Sequence, residues 1–433
     1  MPVSDSAAAK RRSVRALAPL NLFLADVRDG VGPYLAIYLL TVRHWAPGPI
    51  GVAMALPGLV AVLLQTPAGT LVDTTKRKRE LLVLASIVVA LSCVAAVTFT
   101  IRPVIYLTQA LTGAATTVYA PVVAAITLGL VGHRRFAHQT GRNEAFNHAG
   151  NVLAAALAGL IGYYWRYEGI FYLVALMCVL GSWSALRIAP PAINHDLARG
   201  CGPDDEPTED ADAPAEATGA AAGFREVLAN PRLLRFAGAV VLFHFANAAM
   251  LPLVGQLLAL GHPKASALFM SACIIVAQLV MIPVAAWVSK RPTEAGRKPI
   301  FLLAFAALPI RGVLYTLSGN AYYLVGVQIL DGLAGGIFGV ISVIMIADLT
   351  RGSGRFNFVQ GAVTTALGIG AALSTAVAGY VVQQFGYRAA FLSLAAVAAA
   401  ALVFFWLCVP ETNPALATGG PAENKPADAA AAG

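Results

Sequence analysis

Residues 69–81 read Gly69-Thr-Leu-Val-Asp73-Thr-Thr-Lys76-Arg77-Lys78-Arg79-Glu80-Leu81 and stand between two long apolar segments. One segment ends on a carboxylate, Asp73, and four cations, Lys76 to Arg79, follow at once. A loop this short and this basic marks the cytoplasmic side of two membrane-crossing helices. The composition around it agrees. The 433 residues are 58% hydrophobic and 12% charged, with mean hydropathy +0.71. Soluble chains carry roughly 25% charged residues, so most of this chain is solvated by lipid. The net charge of +8 does not point to nucleic acid, because the cations sit in loops between apolar segments. Topology and lipid headgroups account for them there.

Twelve stretches are long enough to cross a bilayer: 17–41, 49–72, 81–101, 104–131, 143–164, 169–188, 233–260, 265–288, 299–318, 321–347, 357–383 and 388–409. A spanning helix takes ~20 residues. These stretches are too long and too uniformly apolar for barrel strands, so helices must satisfy the backbone. Twenty-three Lys and Arg fall on the side of the termini and the 2–3, 4–5, 6–7, 8–9 and 10–11 loops, against five (Arg43, Arg102, Arg166, Lys264 and Arg388) on the other. That bias puts both termini in the cytoplasm and makes an integral protein of a bacterial inner membrane the expectation. No cleavable signal peptide is evident, since Lys10 to Arg15 lead directly into the first span. The five cysteines are scattered without a C-x-x-C, which argues against disulfides and zinc.

The expected organisation is an N-terminal tail (1–16), a six-helix bundle (17–188), a largely disordered linker (189–231), a second six-helix bundle (232–409) and a disordered tail (410–433). The linker is rich in Ala, Pro and Gly and holds nine carboxylates from Asp196 to Glu226, with a short surface helix expected near 224–229. The two halves repeat. Gln109-x-x-x-Gly113 answers Gln328-x-x-x-Gly332 at an offset of 219, Ala158-Gly159 answers Ala378-Gly379 at 220, and Ala25-Asp26 answers Ala246-Asn247 at 221. The common offset is the signature of a parallel repeat about an axis along the membrane normal.

The first basic loop resembles the helix 2–3 loop of the major facilitator superfamily, whose pattern is G-x-L-a-D-r-x-G-r-k-x-x-l. Gly69, Leu71, Asp73, Arg77, Lys78 and Leu81 match it, while Thr74 and Lys76 depart. The resemblance implies an all-α membrane fold of twelve transmembrane helices in two pseudo-symmetric bundles. It also implies that Asp73 helps to hold an outward-facing state, with Arg77 and Lys78 as charge partners. Two departures concern drug–proton antiport. The family's R-x-x-Q-G of helix 4 is here Gln109-Ala-Leu-Thr-Gly113, without the Arg. The G-x-x-x-G-P-x-x-G-G of helix 5 is here Gly150 to Gly159, without the Gly-Pro.

The first span carries Asp26, Arg28 and Asp29 within four residues. A charge at the centre of a spanning helix costs ~2.5–3.5 kcal/mol on the insertion scale, so such charges face a cavity or one another. On the functional reading one aspartate binds a proton or a cationic substrate and the other pairs with Arg28. On the structural reading the three form an ion-pair cluster that fixes packing. Gly30, Gly32 and Pro33 would let this span bend. Asp331 in the tenth span is a second proton site or a helix cap near the outer surface. Asp348 and Arg355 at the cytoplasmic end of that span are a second gate or an ordinary terminus. His244 and Asn247, three apart, share a helix face and would line the cavity with Tyr34 and Gln109. Tyr38, Tyr119 and Phe243 are further candidates for an aromatic wall. His133, His138 and His148 lack metal spacing and are read as interface residues.

The expected function is alternating-access transport of a small organic solute, with proton-coupled efflux ahead of proton symport or facilitated uptake. A polytopic membrane enzyme and a non-transporting receptor are the remote alternatives, and no cluster of catalytic type converges in the sequence. The expected partners are the solute, protons and membrane lipids, with no nucleic acid, no nucleotide, no metal and no cofactor, in a monomer. No Walker motif appears.

Overall fold

In the computed structural model, residues 3–29, 31–99, 101–199, 230–290, 296–350 and 356–413 are described; the side chains of residues 3–7, Asp26, Arg28, Asp29, His133, Ala137, Arg199, Lys290, Phe356 and Asn357 are not. The first half holds α1 (Val3–Asp29), α2 (Gly32–Thr41), α3 (Pro47–Thr74), α4 (Lys78–Thr98), α5 (Arg102–Thr116), α6 (Tyr119–Val131), α7 (His133–Tyr164) and α8 (Glu168–Leu186). The second holds α9 (Pro231–Asn247), α10 (Met250–Gly261), α11 (Ser266–Lys290), α12 (Arg297–Leu314), α13 (Ala321–Leu349) and α14 (Phe356–Cys408). α1 with α2, α5 with α6, and α9 with α10 are single crossings broken midway. α14 is two crossings joined at Gly386, whose φ of 83° only a glycine adopts without strain. Among the described residues that makes twelve crossings, six to a half.

Each break has a proline just beyond it: Pro33, Pro121 and Pro252. A proline has no N–H for the carbonyl four residues earlier, so the ladder loses a rung at Asp29, Thr117 and Ala248. Proline alone does not decide the outcome, since Pro57 and Pro67 lie within an uninterrupted α3. At the seventh crossing the loosened backbone finds other partners: Ala249 N donates to Ser374 Oγ at 3.1 Å.

Among the described residues one apolar core fills the first half and reaches Ala259, Ala267 and Met270 of the second, and two more lie within the second. On α4, Ala85, Val89 and Ala96 are buried while Leu84, Ile87, Leu91 and Val94 are exposed at helical spacing. An exposed aliphatic face on a crossing helix is one that lipid covers.

Several expected boundaries move. The basic 4–5 loop shrinks to Gly132 (φ 73°), because Arg134, Arg135 and Arg142 lie inside α7. Residues 133–142 are polar but contain good helix formers, and nothing stops the helix before the apolar part. The N-terminal tail is helical from Val3 and docks: Ala189 N donates to the buried Ser13 Oγ at 3.0 Å. The first linker residues are folded as well, with two short 3-10 turns and Asn194 N donating to Gly129 O at 3.0 Å. The rest of the linker, including the helix expected near 224–229, and the tail from 414 lie outside the described residues.

Candidate functional site

Arg311, on α12 in the middle of the second half, is 1% exposed. A guanidinium there needs a counter-charge and a partner for its remaining donors. Asp331 of α13 supplies the charge, accepting from Arg311 Nη1, and its side chain keeps 21% exposure. Arg311 Nη2 donates to Asn247 Oδ1 at 2.6 Å, and Nε lies 3.3 Å from Met250 Sδ. Asn247 and Met250 flank the break of the seventh crossing, so one arginine ties α9, α10, α12 and α13 together. The Tyr315 ring lies 5.8 Å from the guanidinium carbon, and Tyr315 OH accepts from Gln328 Nε2 at 2.9 Å. Asp331 is thus not an outer-surface cap. It is half of a buried ion pair.

The repeat gives each of these residues a counterpart. α12 starts 219 residues after α4 (Arg297 against Lys78), and α13 starts 219 after α5 (Ala321 against Arg102). At that offset Arg311 corresponds to Ser92, Tyr315 to Ala96, Gln328 to Gln109 and Asp331 to Thr112. Where the second half places an arginine and a tyrosine, the first has a hydroxyl and a methyl. The room left over is a cavity of about 170 Å3, walled by Ser92, Gln109, Thr112, Phe171, Met54 and Val89 among others. Val31 and Gly32, at the break of the first crossing, also line it.

Away from the termini the halves are sealed together. Gly51 of α3 lies against the backbone of Thr375 and Gly379 of α14, where a Cβ on Gly379 would stand 2.6 Å from Pro47 O. Gly48 N donates to Gln383 Oε1 at 3.1 Å. Tyr34 OH and Ser271 Oγ share a hydrogen bond of 2.7 Å, and Tyr167 bonds Ser266. α10 packs on α2, with a Cβ on Gly255 falling 3.3 Å from Ile37. On the side of the termini the halves part. Leu63 and Leu71 of α3 are 75% and 49% exposed, and a Cβ on Gly69 or Gly361 would meet nothing within 4 Å. Among the described residues no ion pair joins the two halves there.

The predicted residues scatter over this frame. Gln109 lines the cavity, and Asn247 is bound to Arg311. His244 does not pair with Asn247. It packs edge-on against Phe338 at 4.7 Å with its Nε2 buried and unpartnered. Tyr34 is part of the seal, Tyr38 packs on Phe171 at 5.0 Å, Tyr119 OH donates to Ser86 Oγ at 3.3 Å, and Phe243 belongs to an aromatic cluster, so they form no single wall. His148 does bridge the halves, with Nδ1 2.9 Å from Gln278 Oε1. Asp73 is exposed and makes no ion pair with Arg77 or Lys78; Lys78 Nζ instead donates to Val72 O and Thr75 O at the end of α3. The helix end simply reaches the ammonium before the carboxylate does. Asp348 is engaged within its own half, accepting from Arg297 Nε at 3.0 Å, while Arg355 lies outside the described residues. Asp26, Arg28 and Asp29 keep helical backbone to the end of α1, but their side chains lie outside the described ones.

A family model described as Major Facilitator Superfamily matches residues 17–310 and 294–432. A Mycobacterium tuberculosis protein, the uncharacterized MFS-type transporter Rv2456c, is 50% identical over 402 residues, spanning 93% of this chain and 94% of the relative. Among solved structures, a mutant of the nucleoside transporter NupG superposes with a TM-score of 0.76 at 14% identity, covering 91% of this chain and 98% of that one. A D-xylose–proton symporter does so with 0.67 at 12%, covering 93% and 98%.

Proposed function

Because the chain belongs to the major facilitator superfamily, a family of transporters and not of enzymes, we propose that it is a proton-coupled secondary transporter. It moves a small organic solute across the bacterial inner membrane by alternating access. The observation that carries the coupling is the Arg311–Asp331 pair beside the broken seventh crossing. While Asp331 is ionised, it supplies the counter-charge that Arg311 requires inside the bilayer. A proton on Asp331 leaves Arg311 with an amide and a thioether. An uncompensated cation at that depth costs ~2.5–3.5 kcal/mol on the insertion scale, so protonation favours an arrangement that gives Arg311 water or another partner. Met250 connects that rearrangement to the seal, since it begins α10 and α10 packs on α2. The Lys and Arg bias supports termini in the cytoplasm, and on that reading the conformation described is open to the cytoplasm.

Proteoliposomes loaded with a pH dye and screened against uncharged and charged solutes test this. In the wild type a transported solute should drive proton movement, and the sign of that movement separates export, the direction favoured by the sequence, from uptake. Asp331→Asn should abolish the proton signal while solute counterflow persists. Undiminished proton movement in Asp331→Asn would remove the pair from the coupling. Loss of the signal in Asp26→Asn or Asp29→Asn alone would move coupling to the first half.

A further inference from the structure

We propose that the groove between α7 and α11, on the side of the termini, holds an anionic phospholipid, with one acyl chain between the halves and the phosphate on the basic start of α7. Its effect on conformation rests on the alternating-access reading above; the binding itself does not. Gly141 and Gly159 are 18 residues apart, about five turns, and so share one face of α7. A Cβ on Gly159 would stand 2.4 Å from Ser271 Oγ of α11, while one on Gly141 would meet nothing within 4 Å. The two crossings therefore touch at one end of this face and part toward the termini. Between them lies a groove of about 680 Å3, walled by Ala145, Ala149, Val152 and Leu153 of α7 and by Met281 and Ile282 of α11. Leu153 and Ile282, one from each wall, are 42% and 48% exposed, as lipid-facing aliphatics are. An apolar slot between two crossings, open to the bilayer, takes hydrocarbon.

Its end near the termini has the opposite character. Arg134, Arg135, His138 and Arg142 are all exposed there. Arg134, His138, Gly141 and Ala145 recur at i, i+4, i+7 and i+11, so the first two continue the face that lines the groove. Arg142, Ala149 and Leu153 recur at i, i+7 and i+11 beside them. Membrane topology asks for cations on one side of the bilayer; it does not ask for them inside a helix and in line with an apolar groove. A phosphate over the arginines and a chain along the alanines match both parts at once. Glu144 is the one carboxylate in the wall among the described residues, and it accepts from Asn147 Nδ2 at 3.3 Å on its own helix. A chain lodged here keeps α7 and α11 apart. Closing the side of the termini must bring these faces together and expel it, so bound lipid favours the conformation described.

Native mass spectrometry of the full chain, given equal amounts of phosphatidylglycerol and phosphatidylcholine with the same acyl chains, reads binding without transport. Phosphatidylglycerol should be retained in preference, by about fivefold for each cation engaged. Arg134→Gln with Arg142→Gln should level the two lipids, and Ala149→Trp, which fills the groove, should cut retention severalfold. Arg11→Gln with Arg12→Gln removes as much charge elsewhere on that side and should leave the preference unchanged. Equal retention of the two lipids by the wild type, a preference that survives the changes at Arg134, Arg142 and Ala149, or one lost equally with Arg11 and Arg12 would overturn the proposal. Displacement of phosphatidylglycerol by inorganic phosphate would also overturn it, because the site would then be one for an ion. In nanodiscs, spin labels at Leu71 and Thr364, both exposed on the side of the termini, should stand further apart in phosphatidylglycerol than in phosphatidylcholine. Equal distances would overturn the effect on conformation. Failed retention beside intact solute-driven proton movement would leave the transporter reading standing, and retention without transport would leave the lipid site.

Discussion

Two matched positions in the two halves have been put to opposite uses. At the centre of the second half Arg311, Asp331 and Tyr315 fill the space between α12 and α13. At the centre of the first, Ser92, Thr112 and Ala96 leave a cavity of about 170 Å3. The glutamine common to both, Gln109 and Gln328, shows the contrast within one residue type. Gln328 is fully buried and donates to Tyr315, while Gln109 is half-buried at the cavity wall. A repeat that began with equivalent halves has become one half that carries charge and one that carries room. The difference teaches that a repeat can keep its helix crossings while the side chains at matched positions take up different work.

The sharpest way to break that comparison is to unbalance the charged half. Arg311→Ala leaves Asp331 without its counter-charge in a site that is largely enclosed. Removing one member of a buried pair costs about 3–5 kcal/mol, whereas replacing both by apolar residues of similar volume is often close to neutral. Arg311→Ala should therefore melt far below the wild type, and the double variant Arg311→Met with Asp331→Leu should recover most of the loss yet show no coupled proton movement. Melting temperatures in detergent decide it. Equal melting of the single and double variants would mean that the pair is not what holds the second half together.

The seal between halves is the next comparison. Gly159 of α7 meets Ser271 and Ala267 of α11, and Gly379 of α14 meets Pro47 and Gly51 of α3. These are the glycines of the Ala-Gly repeat, so the repeat records the two small-residue crossings at which the halves touch. Gly379→Ala would push a methyl into Pro47 O and Gly51. Overpacking of this kind costs about 1–3 kcal/mol, and it falls only on the sealed conformation. Spin labels at His44 and Lys264, in loops on the sealed side, should report longer distances in Gly379→Ala than in the wild type. An unchanged distance distribution would show that closure does not depend on this crossing.

How much of this was legible in the sequence follows from the physics of each signal. The crossings were legible because lipid demands long apolar stretches, and the repeat because helix crossings demand small residues at fixed places. The Arg311 pair was not found. Its two members come from two crossings and its other contacts, Asn247 and Met250, from a third, so spacing along one helix reveals none of them. A charge balance would have exposed it, since Arg311 and Asp331 are the one arginine and the one carboxylate in mid-span in the second half. The cavity of the first half was harder to see. Ser92 looks like any small residue in an apolar helix, and only the offset of 219 that aligns it with an arginine shows that something is missing. In the conformation described, helix-end carbonyls hold Lys78 and Arg297 holds Asp348, contacts that spacing along the loops does not show.

The ends of the two halves give the smallest and most local comparison. Arg79 on α4 donates to Ile188 O at 3.0 Å and to Leu186 O at 3.4 Å, and Lys298, 219 residues on, donates to Trp406 O at 2.7 Å. Both halves therefore tie the start of their third crossing to the end of their sixth. In the first half Arg79 also pairs with its neighbour Glu80, whereas the second half adds a carboxylate from beyond its sixth crossing. Glu411 accepts from Arg297 N and Lys298 N, both at 3.0 Å, and so caps α12 from outside the helix, where orphan N–H groups and the helix dipole favour an anion. Burial would raise the Glu411 carboxyl, but the N–H groups of Asn413, Arg297, Lys298 and Thr412 outweigh it and hold the carboxyl below its ordinary range. A carboxyl depressed by folding contributes stability above its unfolded pKa and loses it as the pH falls through the folded one. Glu411→Gln should therefore lower stability by about 0.5–1 kcal/mol at pH 7, a capping value reduced for partial exposure. The gap between variant and wild type should close as the pH is taken down through the carboxylate range. Melting curves of the two proteins at pH 7 and in mild acid measure it, and a gap that stays constant with pH would mean that packing of residues 409–413, not the charge of Glu411, secures that end.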